Sequence, residues 1–551
     1  MKRLIIIVAV ALLSMLSFAQ DVFEAERGRW MEIAEACKPA LTVTEVAPVA
    51  IVEAVEDPTA FQGWKYAPVS GLDSLNEVNF KQMGSVTLDF GRHITGHLVL
   101  RLKTLEDVMD APVRLKFFFG ETPGEMNVPL DPWRGSLSRA WMQDETVTLY
   151  AADRDIRLER RVAFRYLRIE HLGGNFAFAL DGIRCEATTS AGECASTLAD
   201  DCPQIIRDIN RVSLATLSEC MQTVYEDGPK RDRRLWIGDL YLEALAGRYS
   251  YQNHLLTKRC LYLFAGLTDG NGRLLADLFE DPEPHPQWGT YCLTYSLLYP
   301  SVLLEYLNDT GDIETALDLW PVAKLQVEDA MRRLRSDYTF DASRAWLFFD
   351  HAVMDAEVPF QGAMLFALNQ TCELAERIGK GEEVAAWQKL LPKIRKGVRK
   401  GYYDPKVGLM VSRAEDSREG GTTGISPDRP TPSVHAQIWA VIGGILDAKE
   451  GRRALEAVLA REDAVRANSP YAMHYLLEAM TRCGMWQQAR GTMVEYWGGM
   501  VRKGADTFWE VYNPDNDLHS PYSFYPLNSY CHAWSCTPTY FIFKYPEVFQ
   551  H

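Results

Sequence analysis

Beyond Leu13 the chain has no apolar run approaching the roughly 20 residues that a membrane-spanning helix needs. It has no HExxH or paired-histidine spacing and no full calcium loop, which removes the sequence case for a metal enzyme. A GxSxG elbow and a phosphate-cradling glycine loop are also missing, so neither serine-hydrolase nor nucleotide chemistry has a carrier. Positive charge is in deficit: 58 Lys and Arg face 74 Asp and Glu, a net charge of -16. That balance disfavours phosphate backbones and anionic membranes as partners, and a neutral ligand fits better. There is no CxxC pair among the 11 cysteines, which are scattered from Cys37 to Cys536. An odd number leaves at least one unpaired, and Cys531 and Cys536 in "CHAWSC" are expected to be small buried apolar groups.

What is present begins with MKRLIIIVAVALLSMLSFAQ, a basic start, an apolar stretch from Leu4 to Leu13, then small residues at Ser17 and Ala19. This is the layout of a cleavable secretory signal over residues 1–19, with the mature chain starting near Gln20 or Asp21. Export to the periplasm or the exterior is expected, without a lipid anchor, since no cysteine stands at the cleavage point. At 551 residues and 47% hydrophobic content the chain has room for two or three cored domains.

Two periodicities divide it. From about residue 40 to 190 the period is two: Val86, Leu88 and Phe90 alternate with Thr87 and Asp89, and "VRLKFFF", "GHLVLRL", "ETVTLY" and "GNFAFALDGI" add short strands between Gly, Pro, Asn and Asp turns. Residues 20–190 are therefore expected to form an antiparallel β-sandwich. From 191 to 551 the pattern is helical. Ile205, Ile209 and Val212, then Leu242, Leu245 and Tyr249, then Val327, Met331 and Leu334 make stripes at helical spacing, as do Leu365, Leu368, Cys372 and Ala375, which stop at Gly379. Ser469 before Pro470 is an N-cap with proline in the first turn. About 350 helical residues are too many for one simple bundle, whereas a closed ring of helical hairpins gives every helix an interior to face.

The segment between the first two of these helices, "EDGPKRDRRLWIGD" (226–239), crowds acids and bases beside Leu235, Trp236 and Ile237. Ion pairing of Asp227 and Asp232 with Arg231, Arg233 or Arg234 would account for it, and Asp239 could cap the helix that follows. Yet the theme repeats: Trp288 in "EDPEPHPQWGTY", Asp350 in "WLFFDHAVMD", and Glu510 between Trp509 and Tyr512. Aromatic faces stack on the C-H faces of sugars while carboxylates take hydroxyl hydrogen bonds, so glycan recognition is the simplest common cause. "NPDNDLHS" with Asp515, Asn516 and Asp517 reads as an exposed turn, and His285 and His351 lie in unrelated contexts.

"DGPKRDRRLWIGD" resembles the acidic loop of the α-L-rhamnosidase family of glycoside hydrolases. "DFGRHITGHLVLRL" and "RRVAFRYLRIEHL" resemble that family's sandwich, "ADTFWEVYNP" its later acidic segment, and "NSYCHAWSCTPTYF" its closing helix, all in the family's order. The resemblance implies a multidomain fold, an N-terminal antiparallel β-sandwich followed by an all-α (α/α)6 barrel. It also implies inverting hydrolysis of terminal α-L-rhamnose without cofactor or metal: one acid protonates the departing oxygen and a carboxylate roughly 6.5–9.5 Å away activates water. By motif, Asp232 falls at the acid position and Glu510 at the base. Asp227 and Asp239 fall where the family holds sugar hydroxyls, and Arg231, Trp236, Asp350 and His532 are implied cavity residues. The chain ends at "FIFKYPEVFQH", so the small C-terminal β-domain common in relatives is expected to be absent.

One position departs from the family: the acid is typically glutamate, and Asp232 is a methylene shorter. Either the backbone comes closer, a water intervenes, or another residue or substrate is used. The acid must hold its proton while Glu510 stays ionised, so Arg231 and Arg233 are expected to point away from Asp232, to Asp227 or Asp239. Rival readings are the same scaffold acting on another α-L-linked or deoxy sugar, and a catalytically impaired glycan-binding protein.

Overall fold

The computed structural model describes residues 21–106, 111–150, 154–173, 177–412 and 432–551. The expected signal peptide, residues 1–19, lies outside the described residues. The described chain opens with helix α1 (Glu24–Ala36), which buries Trp30 and Ala34. Its Arg27 donates to the carbonyls of Gly266 and Asp269, 3.0 and 2.9 Å away, and Arg259 returns a bond to Ala34 O at 2.6 Å. The stretch expected to be wholly sandwich thus begins with a helix clamped onto the helical half.

Nine strands follow: β1 (Thr42–Val46), β2 (Ala50–Glu56), β3 (Trp64–Ser70), β4 (Ser85–Thr104), β5 (Val113–Gly120), β6 (Asp144–Leu149), β7 (Ile156–Arg157), β8 (Val162–Gly173) and β9 (Phe178–Thr189). All pairings are antiparallel, in the order β1-β9-β4-β8-β5-β6, with β2 and β7 also on β4 and β3 on β2. "VTLDF" and "GHLVLRL", read as separate strands, are the two ends of the 20-residue β4. Its register on β8 shifts between Asp89 and Ile94, around Gly91 at φ 77°, a left-handed conformation that glycine takes without strain. The first half pairs with β2 and the second with β9, so the bent strand carries the sheet from one layer into the next. Leu88, Phe90, Leu98, Leu100, Leu115, Phe117, Phe119 and Phe178 fill the core between the layers. Phe118, on the opposite face of β5, is also buried, under Phe524 and Leu527 of the helical half.

The helices pair as six hairpins, each an outer helix followed by an inner one. They are α2 (Gln204–Cys220) with α3 (Ile237–Arg248), α4 (His254–Gly266) with α5 (Tyr299–Thr310), and α6 (Ile313–Met331) with α7 (Glu357–Arg377). Then come α8 (Gly381–Tyr402) with α9 (Val434–Ile442), α10 (Ala448–Leu459) with α11 (Pro470–Arg482), and α12 (Trp486–Arg502) with α13 (Pro538–Lys544). Burial distinguishes the two rings. All nine residues of α9 are buried, whereas α8 buries only Val384, Leu391, Ile394, Val398 and Tyr402, a single stripe. The ring closes because α12 packs on α2 outside and α13 on α3 inside. Local sequence sets the helix starts: Ser469 accepts from Ala472 N ahead of Pro470, as read from sequence, and Asp447 with Glu450 forms a capping box at α10. No helix among the described residues is long and apolar enough to cross a membrane.

Candidate active site

The connections that run from an outer helix to the next inner helix gather at one end of the barrel. They enclose a cavity of about 870 Å³, within the roughly 300–1,000 Å³ of small-ligand sites. Asp227, Arg231, Asp232, Trp236, Asp239, Glu510 and His532 all line it, drawing the first and last loops of the helical half together.

The 226–239 loop is wound around Asp227. Its carboxylate accepts the backbone N-H of Asp232 at 3.1 and 3.2 Å and of Arg234 at 3.1 Å, while its own N-H donates to Arg234 O at 3.0 Å. Gly228 is required, since a Cβ there would stand 2.6 Å from both Arg231 O and Ser529 Oγ. Helix α3 starts at Ile237, so Asp239 lies inside its first turn and is not the cap. It faces His532 Nε2 at 3.4 Å. Burial raises the pKa of Asp227 well above its ordinary value, reinforced by the neighbouring Asp232. Burial also raises Asp239, against the opposing pull of His532.

Glu510 sits 2% exposed on the facing loop. Its Oε2 accepts from the Arg231 guanidinium and from Ser529 N at 3.0 Å, and its Oε1 accepts from the Tyr522 hydroxyl. Burial pushes its pKa up, but Arg231 first, then His351 and His532, outweigh burial and hold it well below the usual carboxylate range. Arg231 itself lies over the Tyr522 ring at 4.4 Å and donates to Leu527 O at 2.7 Å.

Arg231 corrects one expectation. Its Nη1 lies 3.4 Å from Asp232 Oδ1, and Arg234 Nη1 lies 3.7 Å from Asp232 Oδ2. The loop is tightly wound, so the guanidinium bridging to Glu510 passes its own neighbour on the way. Asp227 takes backbone N-H groups and no guanidinium. Arg233 does point away, to Pro229 O at 2.9 Å and Gln143 Oε1 at 3.4 Å. Asp232 is thus in contact with two cations, and the condition that the sequence reading set for a proton donor is not met at this carboxyl.

Three expected substrate contacts lie off the cavity. Trp288 is 70% exposed, its ring turned to solvent. Trp509 is buried with its ring stacked on Phe61 at 4.1 Å. Asp350 is fully buried and accepts from His435 Nε2, Asn468 N and Ser469 Oγ at 2.6–2.7 Å, tying the loop before α7 to the start of α11. Its chain neighbour His351, which sequence reading set aside, does line the cavity: its Nε2 stands 3.7 Å from Glu510 Oε1 and has no hydrogen-bond partner. Trp346 of the "WLFFDHAVMD" patch lines the cavity, and Tyr295, Phe348, Tyr522 and Trp534 supply further aromatic wall. "WLFFDH" held that signal as dense aromatics, but nothing local says which ring faces inward. "NPDNDLHS" forms Asx turns at Asn513 and Asn516, as expected of an exposed turn. Among the described residues no cluster of His, Cys, Asp or Glu could hold a metal ion.

Six hairpins closed into a ring, with carboxylates and aromatic faces around one cavity at the loop end, place the protein among the six-hairpin glycoside hydrolases. Residues 201–545 match the bacterial α-L-rhamnosidase six-hairpin glycosidase domain, and 48–187 match the glycosyl hydrolase family 78 α-rhamnosidase N-terminal domain. The chain is 35% identical to a rhamnosidase from Klebsiella oxytoca solved with rhamnose bound, over 94% of this chain and 99% of that one, with a TM-score of 0.88. It belongs to the α-L-rhamnosidase family. The family 78 rhamnosidase of Bacillus sp. GL1 shares the fold at 19% identity and a TM-score of 0.69, over 83% of this chain and 46% of that one. The Streptomyces avermitilis α-L-rhamnosidase complexed with L-rhamnose does so at 15% and 0.63, over 92% and 44%. No curated protein matches the chain.

Proposed function

We propose that this glycoside hydrolase is an exported, exo-acting α-L-rhamnosidase that works with inversion, Asp232 as general acid and Glu510 as general base. The observation that carries the reading is that both carboxyl groups, far apart in the chain, line one cavity; the two guanidinium contacts at Asp232 count against its half of the assignment, which the test below decides. One guanidinium contacts both carboxyl groups, so the two border the same space.

The environments support the two roles unequally. Glu510 is kept ionised by Arg231, and Oε1, bonded to Tyr522, retains a lone pair with which to take a proton from water. His351 Nε2 is within one water of that oxygen and orients the attacking molecule. Of the three aspartates in the loop Asp232 is the most open, its side chain 15% exposed against 3% for Asp239, so a leaving oxygen reaches it first. Trp236, Phe348 and Trp534 offer flat apolar faces suited to the C-H face and methyl group of a 6-deoxy sugar.

A panel of aryl glycosides tests the reading. Release from the α-L-rhamnoside should fall by about 10²–10⁴ in Asp232→Asn and Glu510→Gln, and the first sugar product seen by NMR should be the β-anomer. Preferred release from another α-L-linked sugar would move the substrate assignment. Full activity in Glu510→Gln, or an α-anomeric first product, would refute the mechanism.

A further inference from the structure

The charges of the 226–234 loop have two destinations. Asp227, Arg231, Asp232 and Arg234 face the cavity, whereas Glu226, Lys230 and Arg233 run into the sandwich. Glu226 accepts from Arg161 Nη2 at 2.6 and 2.8 Å. Lys230 is the most deeply committed of the three. Its ammonium, 1% exposed, bonds Glu121 Oε2 at 2.7 Å and Glu125 Oε1 at 3.1 Å, both carboxylates fully buried at the end of β5, and also donates to Asn528 O at 2.7 Å and Pro526 O at 3.3 Å.

Glu121 does more than neutralise a lysine. The same Oε2 accepts Tyr530 N at 2.8 Å, and Oε1 meets His93 Nε2 at 3.1 Å. So one sandwich carboxylate fastens Lys230 and Tyr530, and the immediate chain neighbours of these two, Arg231 and Ser529, are the two donors on Glu510 Oε2. A buried ion pair roughly breaks even with an apolar replacement in stability, so stabilising the domain contact does not by itself account for a lysine and two glutamates at this depth. Their geometry accounts for them: they set where the Glu510 carboxylate stands.

We propose that Glu121, supported by Glu125, is a positioning residue of the hydrolytic site, acting from the sandwich through Lys230 and Tyr530 on the two donors that hold the Glu510 carboxylate. The inference rests on Glu510 being the base. The groups facing Glu510 are Arg231, Tyr522, His351, His532, the Ser529 amide and the carboxyl of Asp239, and of these Arg231 and Ser529 are the ones fastened through Glu121.

The test compares kcat, KM and their pH profiles for Glu121→Gln in the full chain on an aryl α-L-rhamnoside, with thermal unfolding in parallel. A loosened Arg231 leaves burial less opposed at Glu510, so kcat should fall 10- to 100-fold, KM should stay within about threefold, and the acidic limb should move up by half a pH unit or more. Glu121→Asp, which keeps the charge, should recover part of the limb position. Phe117→Leu, in the sandwich core, should lower the melting temperature while leaving kcat and the limb unchanged. If Glu121→Gln does not fold, Glu125→Gln carries the test with a severalfold fall in kcat and a shift of the same sign. A lowered melting temperature with an unmoved kcat and limb, or the same kcat loss in Phe117→Leu, overturns the proposal. Glu510→Gln measured alongside separates the two readings: if it stays active the base assignment fails, and if it is inactive while Glu121→Gln is normal the positioning role alone fails.

Discussion

Replacing Arg231 by methionine keeps most of the side chain's length and removes its charge. Arg231 and Glu510 are 3% and 2% exposed, so the substitution leaves a buried carboxylate without its cation, a change that typically costs about 3–5 kcal/mol. At about 1.36 kcal/mol per pKa unit this is worth roughly 2–4 units if all of it falls on Glu510. Tyr522, Ser529 N and His351 remain and retain part of the effect, so a rise of at least about one unit is expected. The sign follows from which influence is lost. In the intact protein Glu510 is held below its unfolded value; its ionisation adds stability above that value and the contribution is lost as pH falls through the folded one. In Arg231→Met less of that lowering survives, so Glu510 takes its proton at a higher pH and its ionisation adds less stability above the unfolded value. The acidic limb of kcat/KM should therefore move up by about one unit or more, and the stability deficit against wild type should shrink as pH falls below the ordinary glutamate range of about 4. An unmoved limb, or a deficit that grows on acidification, would show that Arg231 does not set the ionisation of Glu510.

Other consequences can be measured as directly. His351→Ala should lower kcat about 10- to 100-fold with KM nearly unchanged, because its Nε2 faces Oε1 of Glu510, the proposed base; a rise in KM alone would assign it to sugar binding. Trp288→Ala should leave kcat/KM within twofold, its ring being 70% exposed, whereas Trp236→Ala should raise KM about tenfold through loss of a stacking face, as read from initial rates. All eleven cysteines are free thiols and only Cys194 is not buried, so a thiol reagent should titrate about one group per native chain and reductant should leave activity unchanged.

What could be read from sequence was local, and what could not was spatial. The stripe of Leu365, Leu368, Cys372 and Ala375 is buried along α7, and Ser469 caps α11, because a turn of helix is decided within a few residues. The merging of two strand readings into β4 could not be foreseen, since the bend at Gly91 exists to carry the sheet between layers and the alternation on either side looks the same in both cases. Helix α1 escaped because charged residues interrupt its apolar ones, leaving only Trp30 and Ala34 buried, and because the Arg27 and Arg259 bonds that help hold it to α4 go to carbonyls remote in the chain. In "WLFFDHAVMD" the charged residue drew attention, yet Asp350 ties two loops together and His351, beside it, faces the cavity. Composition marked the segment, but which of two adjacent side chains turns inward depends on the loop's path.

The same distinction bears on the shortened acid. The loop is held through the backbone N-H of Asp232, which Asp227 accepts, so the carboxyl of residue 232 can lengthen without unwinding it. Asp232→Glu should therefore fold with a melting temperature close to wild type. One methylene moves the acid by about 1 Å, a displacement that can cost on the order of 10²-fold where proton transfer must be aligned. That cost should appear only where a proton is needed: alkyl rhamnosides, whose alkoxide leaves poorly, should slow by about 10- to 100-fold, and dinitrophenyl rhamnoside, whose phenolate leaves unaided, should change by less than about threefold. If both substrates slow equally, the substitution has disturbed sugar binding or Glu510 instead. Residue 232 would then not be the group that protonates the leaving oxygen, in keeping with the two guanidinium groups that contact it.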